Sequence, residues 1–357
     1  MGAIWIRSLR FCRDTGRLVR ASAATWVVAV LFTTANAVDP VLPWAVIWLP
    51  GTVGSFLLVI TFWLTARSDH LPAATGRLWR HLFVVAVLVL LGSIAQSTEV
   101  LRAENPDGAQ LTPLQMAFDG AAILMVIYAL IRLPLGKQSR GEVFRVLLDA
   151  GTVMLACAVF LWHFSTRFAV HEGDSWMVSL ALVLSVLALV AVFALAKVLL
   201  TSHSSYLDRG SLQMIGLAVL IGAVGPAFRP ALEPINPNLY PEMVYLPMIY
   251  LFGALAAERQ RRGNTIPRRG AHPARRRPFS LLPYVAIAAV DALLLSVALP
   301  AGVSDREVVV VSAVVLTAVV VVRQIHAFRD NGRLLLRLDH NATHDALTQL
   351  PNRVLFH

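Results

Sequence analysis

Long apolar stretches alternate with short polar ones over most of the chain, at a spacing set by a bilayer. Runs of about 18 or more apolar residues read as spanning helices, because the hydrocarbon layer is roughly 30 Å thick and an α-helix rises about 1.5 Å per residue. Ten such runs are predicted, at 21–38, 41–65, 79–97, 114–131, 146–164, 176–196, 211–228, 239–256, 281–299 and 307–322. The longest connection is about two dozen residues, too short to bury a core of its own. The expected fold class is all-α: a polytopic integral membrane helix bundle of about ten transmembrane helices, residues 21–322, preceded by a basic N-terminal segment at 1–20.

Composition strengthens this picture. Of 357 residues, 57% are hydrophobic and 15% charged, where soluble proteins carry about 25% charged residues. Mean hydropathy is +0.66. The lipid bilayer is therefore the first expected partner. Cys12 and Cys157 imply no disulfide framework. The use of 29 Arg against two Lys, Lys137 and Lys197, suggests a GC-rich bacterial genome, hence a bacterial inner membrane.

A net charge of +10 in a soluble domain would point to nucleic acid. Its distribution points to topology instead. With the N-terminus cytoplasmic, the inside segments hold 27 basic residues and the outside loops only four, Arg102, Arg167, Arg229 and Arg306. This is the positive-inside rule loop by loop, and it puts both termini in the cytoplasm. The densest stretch, 258–280, holds eight Arg interrupted by Pro267, Pro273 and Pro278. It is expected to be extended, serving as a topogenic signal or docking on anionic head groups. The first run has a second reading as a signal peptide with Ala35, Asn36 and Ala37 at its end.

Beyond the tenth run, 323–343 is expected to leave the membrane as a helix. Ile325, Phe328, Leu335 and Ala342 fall on one stripe, compatible with a parallel homodimeric stalk, although Gly332 and Asp339 occupy seam positions. There follows His344, Asp345, Ala346, Leu347, Thr348, Gln349, Leu350, Pro351, Asn352, Arg353, Val354, Leu355, Phe356. This string resembles the entry motif of GGDEF domains, the diguanylate cyclase family, written HDxLTGLPNRxxF. The matching positions are His344, Asp345, Leu347, Thr348, Leu350, Pro351, Asn352, Arg353 and Phe356; Gln349 replaces the usual Gly. The resemblance implies that 323–343 is a signalling helix and 344–357 the start of a GGDEF domain. It further implies a longer parent that condenses two GTP into cyclic di-GMP with Mg²⁺; in that family an EAL phosphodiesterase domain often follows. The nucleotide- and metal-binding carboxylates would lie past His357, so neither cofactor nor catalytic residue is expected within these 357 residues.

Inside the membrane an ionised Asp costs about 2.5–3.5 kcal/mol on insertion scales, which makes Asp119, Asp149 and Asp291 candidate sensing residues. Asp149 has Arg145 one turn before it. Asp291 has only Ile287, Ala288, Leu294 and Leu295 as helical neighbours. His163 and His171 lack a third ligand, so no metal site is expected. The expected function is a membrane-embedded input module. The rival is a transporter or channel, suggested by helix breakers at Pro50 and Gly51, at Gly222, Gly225 and Pro226, and at Pro247.

Overall fold

In hydrocarbon an unpaired backbone N–H or C=O costs several kcal/mol, so an apolar run satisfies its backbone by coiling into a helix. The computed structural model describes residues 2–39, 42–102, 112–133, 140–161, 175–201, 208–232 and 235–265, together with helical positions 314, 315, 317, 318, 321, 322 and 325. Every element among them is helical: α1 (Gly2–Val38), α2 (Trp44–Ala66), α3 (Ala73–Arg102), α4 (Pro113–Ile131), α5 (Arg140–Leu161), α6 (Ser175–Thr201), α7 (Arg209–Val224), a 3₁₀ turn (Gly225–Ala227), α8 (Phe228–Leu232) and α9 (Glu242–Thr265). The chain is an all-α membrane helix bundle.

Five of these segments are long and apolar enough to cross a bilayer, Gly16–Val38, Ala45–Ala66, Ala73–Arg102, Pro113–Ile131 and Leu182–Leu199, and two shorter apolar helices, Leu147–Val159 and Arg209–Val224, accompany them. Of the remaining predicted spans, 239–256 falls within α9, 281–299 lies outside the described residues, and 307–322 is described only at isolated helical positions. Residues 344–357, and Asp291 with them, also lie outside.

Local chemistry sets the helix ends. Thr112 caps α4, its hydroxyl accepting from the Gln115 amide at 3.2 Å, with Pro113 in the first turn, where a missing N–H costs nothing. Asp208 caps α7 through the Ser211 amide at 3.0 Å. Hydroxyls inside the spans turn back onto their own helix. Thr33, Thr61, Thr65 and Thr152 donate to the carbonyl four residues earlier at 2.7–2.8 Å, which disposes of a polar group where no water is at hand.

Helices α2, α3, α4, α6, α7 and α9 each pack on the next, and α9 packs back on α2, so the six close a ring; α1 lies outside it against α2 and α9, and α5 against α6 and α7. One hydrophobic cluster fills one half of the ring: Leu58 and Phe62 of α2, Trp79 and Leu82 of α3, Leu130 of α4, Leu195 of α6, Leu212 of α7 and Ala257 of α9 all contribute. Trp79 is fully buried and meets Phe62 edge to face at 5.3 Å.

The α2–α9 seam depends on two glycines. A Cβ on Gly54 would come within 2.9 Å of the Tyr250 ring, and one on Gly253 within 2.6 Å of Leu58 Cδ1. Small residues permit this approach, which supplies the van der Waals contact that membrane helices need in place of a hydrophobic driving force. Outward faces stay apolar, with Val27, Leu31, Phe56, Val84, Leu91, Leu124, Val183 and Val186 all exposed.

Helix α1 runs unbroken from Gly2 through the basic N-terminal segment into the first span. The structure corrects one expectation. The stretch from 258 is not extended at its start. Helix α9 continues through Thr265, since no proline falls before Pro267 and Glu258 lies within reach of Arg261 and Arg262 one turn on.

Candidate functional site

The two ends of the bundle differ in charge. Arg67, Arg77, Arg80, Arg132, Lys197, Arg209, Arg259, Arg261 and Arg262 sit on helix ends or turns that the up-and-down order brings to one end, where Arg17 and Arg20 of α1 precede its apolar run, whereas Arg102 and Arg229 lie at the other. Aromatic rings accompany three of these cations. Arg67 stacks over Trp63 at 4.4 Å, Arg132 over Tyr128 at 5.2 Å and Arg229 over Tyr240 at 4.6 Å. Aromatic and basic side chains together are the usual anchors at head-group depth.

Away from the Arg-rich end, the ring becomes polar. The α3 residues Gly92 and Gln96 face α4, while Ser93 and Ser97, one position on, face α9 and α2. Asp119 of α4 lies in this region. Its carboxylate accepts a side-chain hydrogen bond from Gln115, and its Oδ1 comes so close to α3 that a Cβ on Gly92 would stand 3.3 Å from it. Gln96 is fully buried, its Oε1 accepting from the Thr112 amide at 3.4 Å. Ser93 hydrogen bonds with Tyr250 of α9, and Ser97 with Thr52 of α2 at 2.8 Å. Asp119 is thus one member of a polar seam joining α2, α3, α4 and α9, about 9 Å inside its helix.

Asp149 lies elsewhere. It is buried on α5, which packs on α6 and α7, and has an interaction partner, whereas Asp119 lies on α4 against α3. The Arg145 side chain, Asp291, His163 and His171 lie outside the described residues. Among the described residues no three His, Cys, Asp or Glu groups come together as metal ligands.

Sequence reasoning missed the polar junction at the Arg-rich end. Glu258 is buried on α9 and bonds Arg262 Nε at 2.6 Å and Arg261 Nη2 at 3.4 Å; Arg261 is itself buried. Gln260, with no exposed surface, accepts from the Asp208 amide at 3.1 Å, and Ser211 donates to the Ala256 carbonyl at 2.8 Å. The start of α7 is therefore latched to the end of α9. The signal that could have found it is the i, i+3, i+4 spacing of Glu258, Arg261 and Arg262, continuous in helical register with the apolar run before it.

At the opposite end Arg229 pairs with Glu242 at 2.6 Å, and Asn236 Nδ2 donates to the Ala37 carbonyl at 2.9 Å, while Asn36 is buried against the segment after α8. The Ala35–Ala37 stretch, one candidate for cleavage, is thereby built into the packing. Of the expected helix breakers, only Gly225 and Pro226 interrupt a helix. Pro50 lies within α2 and Pro247 within α9, both continuous.

These features define the class: an integral membrane helix bundle with one Arg-rich end, a polar interhelical seam and a buried polar latch. No family model matches the chain, and no curated protein or solved structure matches it.

Proposed function

We propose that the bundle is the membrane-embedded input module of a bacterial cyclic di-GMP signalling protein, a diguanylate cyclase. The observation that carries this reading is the string from His344 to Phe356, which follows the stretch 323–343 expected to leave the membrane. In support, helical positions continue to Ile325, past the end of the predicted tenth run. The Arg-rich end faces the cytoplasm of the inner membrane, with both termini there, and 323–343 pairs with a second copy as a parallel stalk. GTP and Mg²⁺ belong to the domain that the motif opens.

Of the two described candidates, Asp119 is the one assigned to sensing, because its seam joins four helices and a change in its protonation or hydration alters contacts within it. The experiment begins with the gene read past His357, where a GGDEF signature is expected, and continues with the complete product, expected to make cyclic di-GMP from GTP and Mg²⁺. Asp119→Asn in that product, at normal abundance, is expected to hold the output high or low. A product without the signature or the activity ends the proposal; unaltered output in the variant removes Asp119 from it.

The interruption between α7 and α8 favours a second reading as a transporter, since broken helices mark substrate paths in many transporters. The same readout separates the two. Orientation has its own test: single cysteines near Asn105, Gly173, Asn236 and Ser304 are expected to label with an impermeant thiol reagent in intact cells, and those near Ser139 and Gly263 only after lysis. The inverse pattern overturns the topology.

A further inference from the structure

At the Arg-rich end, α1 and α7 both pack on α9 and leave a groove over it. Its volume is about 630 Å³, and its lining is Gly16, Val19 and Arg20 of α1, Met214 of α7, and Leu255, Glu258, Arg259 and Arg262 of α9. The lining holds three guanidinium groups and one carboxylate, which is already held by Arg262 at 2.6 Å and by Arg261 at 3.4 Å, and the Asp208 carboxylate, beside Arg259 at Gly210, lies at its edge. The groove keeps a positive excess, in which Arg20 and Arg259 are exposed.

The apolar part of the lining sits at a defined depth. On α1 the lining residues Gly16, Val19 and Arg20 directly precede the apolar run that begins at Ala21, Met214 lies one turn into α7, and Leu255 is near the last apolar turn of α9 before its charged end. All three helices change from apolar to charged at the level of the groove. A cavity basic at its mouth and apolar on its membrane side, placed at head-group depth, matches one ligand chemistry: a phosphate monoanion carrying hydrocarbon chains.

We propose that this groove is a binding site for an anionic phospholipid, its phosphate held by Arg20 and Arg259 and the upper part of an acyl chain lying along Val19, Met214 and Leu255. A soluble phosphate shares the charge chemistry but has no use for the apolar wall. Each basic group near a membrane surface contributes about a five-fold factor to the attraction of an anionic lipid, so losing two is expected to weaken retention by about ten- to thirty-fold.

The test uses the complete gene product, purified in a neutral detergent and titrated with phosphatidylglycerol, with phosphatidylcholine or with inorganic phosphate, reading lipid retention by native mass spectrometry and thermal stability. Phosphatidylglycerol is expected to be retained and to raise the melting temperature, with phosphatidylcholine and inorganic phosphate doing neither. The double variant Arg20→Gln with Arg259→Gln is expected to lose that retention. Val19→Trp, which fills the groove without altering charge, should lose it too. Arg102→Gln, the same kind of substitution at the other end, should not. Equal stabilisation by inorganic phosphate overturns the lipid assignment. So does retention unaffected by either groove variant, or reduced as much by Arg102→Gln.

Discussion

Glu258→Ala is expected to cost about 3–5 kcal/mol of stability, because removing one partner of a buried ion pair strands the other charge. The side chains of Glu258 and Arg261 are 9% and 5% exposed, whereas that of Arg262 is 65% exposed. Arg261 therefore loses one of its contacts in a buried place, while Arg262 turns to water. The damage spreads through the latch, since Gln260 and Ala256 on the same turns of α9 hold the start of α7 through Asp208 and Ser211. Thermal unfolding in a fixed detergent measures this. A variant as stable as the parent would show that the junction is not dry. The double variant Glu258→Leu with Arg261→Met is expected to recover most of the loss, because an apolar pair of similar volume replaces a buried ion pair at little or no cost.

Trp79→Ala should be nearly as damaging, at about 3–5 kcal/mol for an aromatic side chain removed from a close-packed site. Trp79 stands where six helices meet, edge to face with Phe62 and fully buried. Its removal leaves a cavity that the ring, closed on all sides by helices, cannot collapse to fill. Trp63 supplies the contrast. It is 39% exposed beneath the Arg67 guanidinium, and Trp63→Ala forfeits only a stacking contact of about 0.5–1 kcal/mol. Equal losses at the two positions would mean that the cluster around Trp79 is loosely packed.

The polar seam was legible in part. Asp119 stood out in the sequence because an acid amid apolar residues is costly wherever it falls. Its companions did not, since Gln96, Ser93 and Tyr250 are unremarkable on their own helices and acquire a role only when α3 packs between α2 and α4. Likewise the Arg density after 256 was plain as charge, but the burial of Glu258 and Arg261 depends on α7 and α9 lying side by side.

By itself the sequence determined the all-α membrane class, the helical runs now described as α1 to α7 and α9, and the gathering of basic residues at one end. These are one-dimensional properties: hydrocarbon thickness dictates run length, and the cost of moving Arg across the bilayer dictates which loops carry it. Only the tertiary structure decided which helices touch, that six of them close a ring, that α1 belongs to the packing through Asn36 and Ala29, and that Gly54 and Gly253 set the α2–α9 approach. The physical reason is that lipid tails are as apolar as a leucine core. A soluble helix announces its buried face by the contrast with its wet one, but a membrane helix is apolar on both sides, and the choice between lipid and protein falls to close packing and hydrogen bonds between residues far apart in the chain.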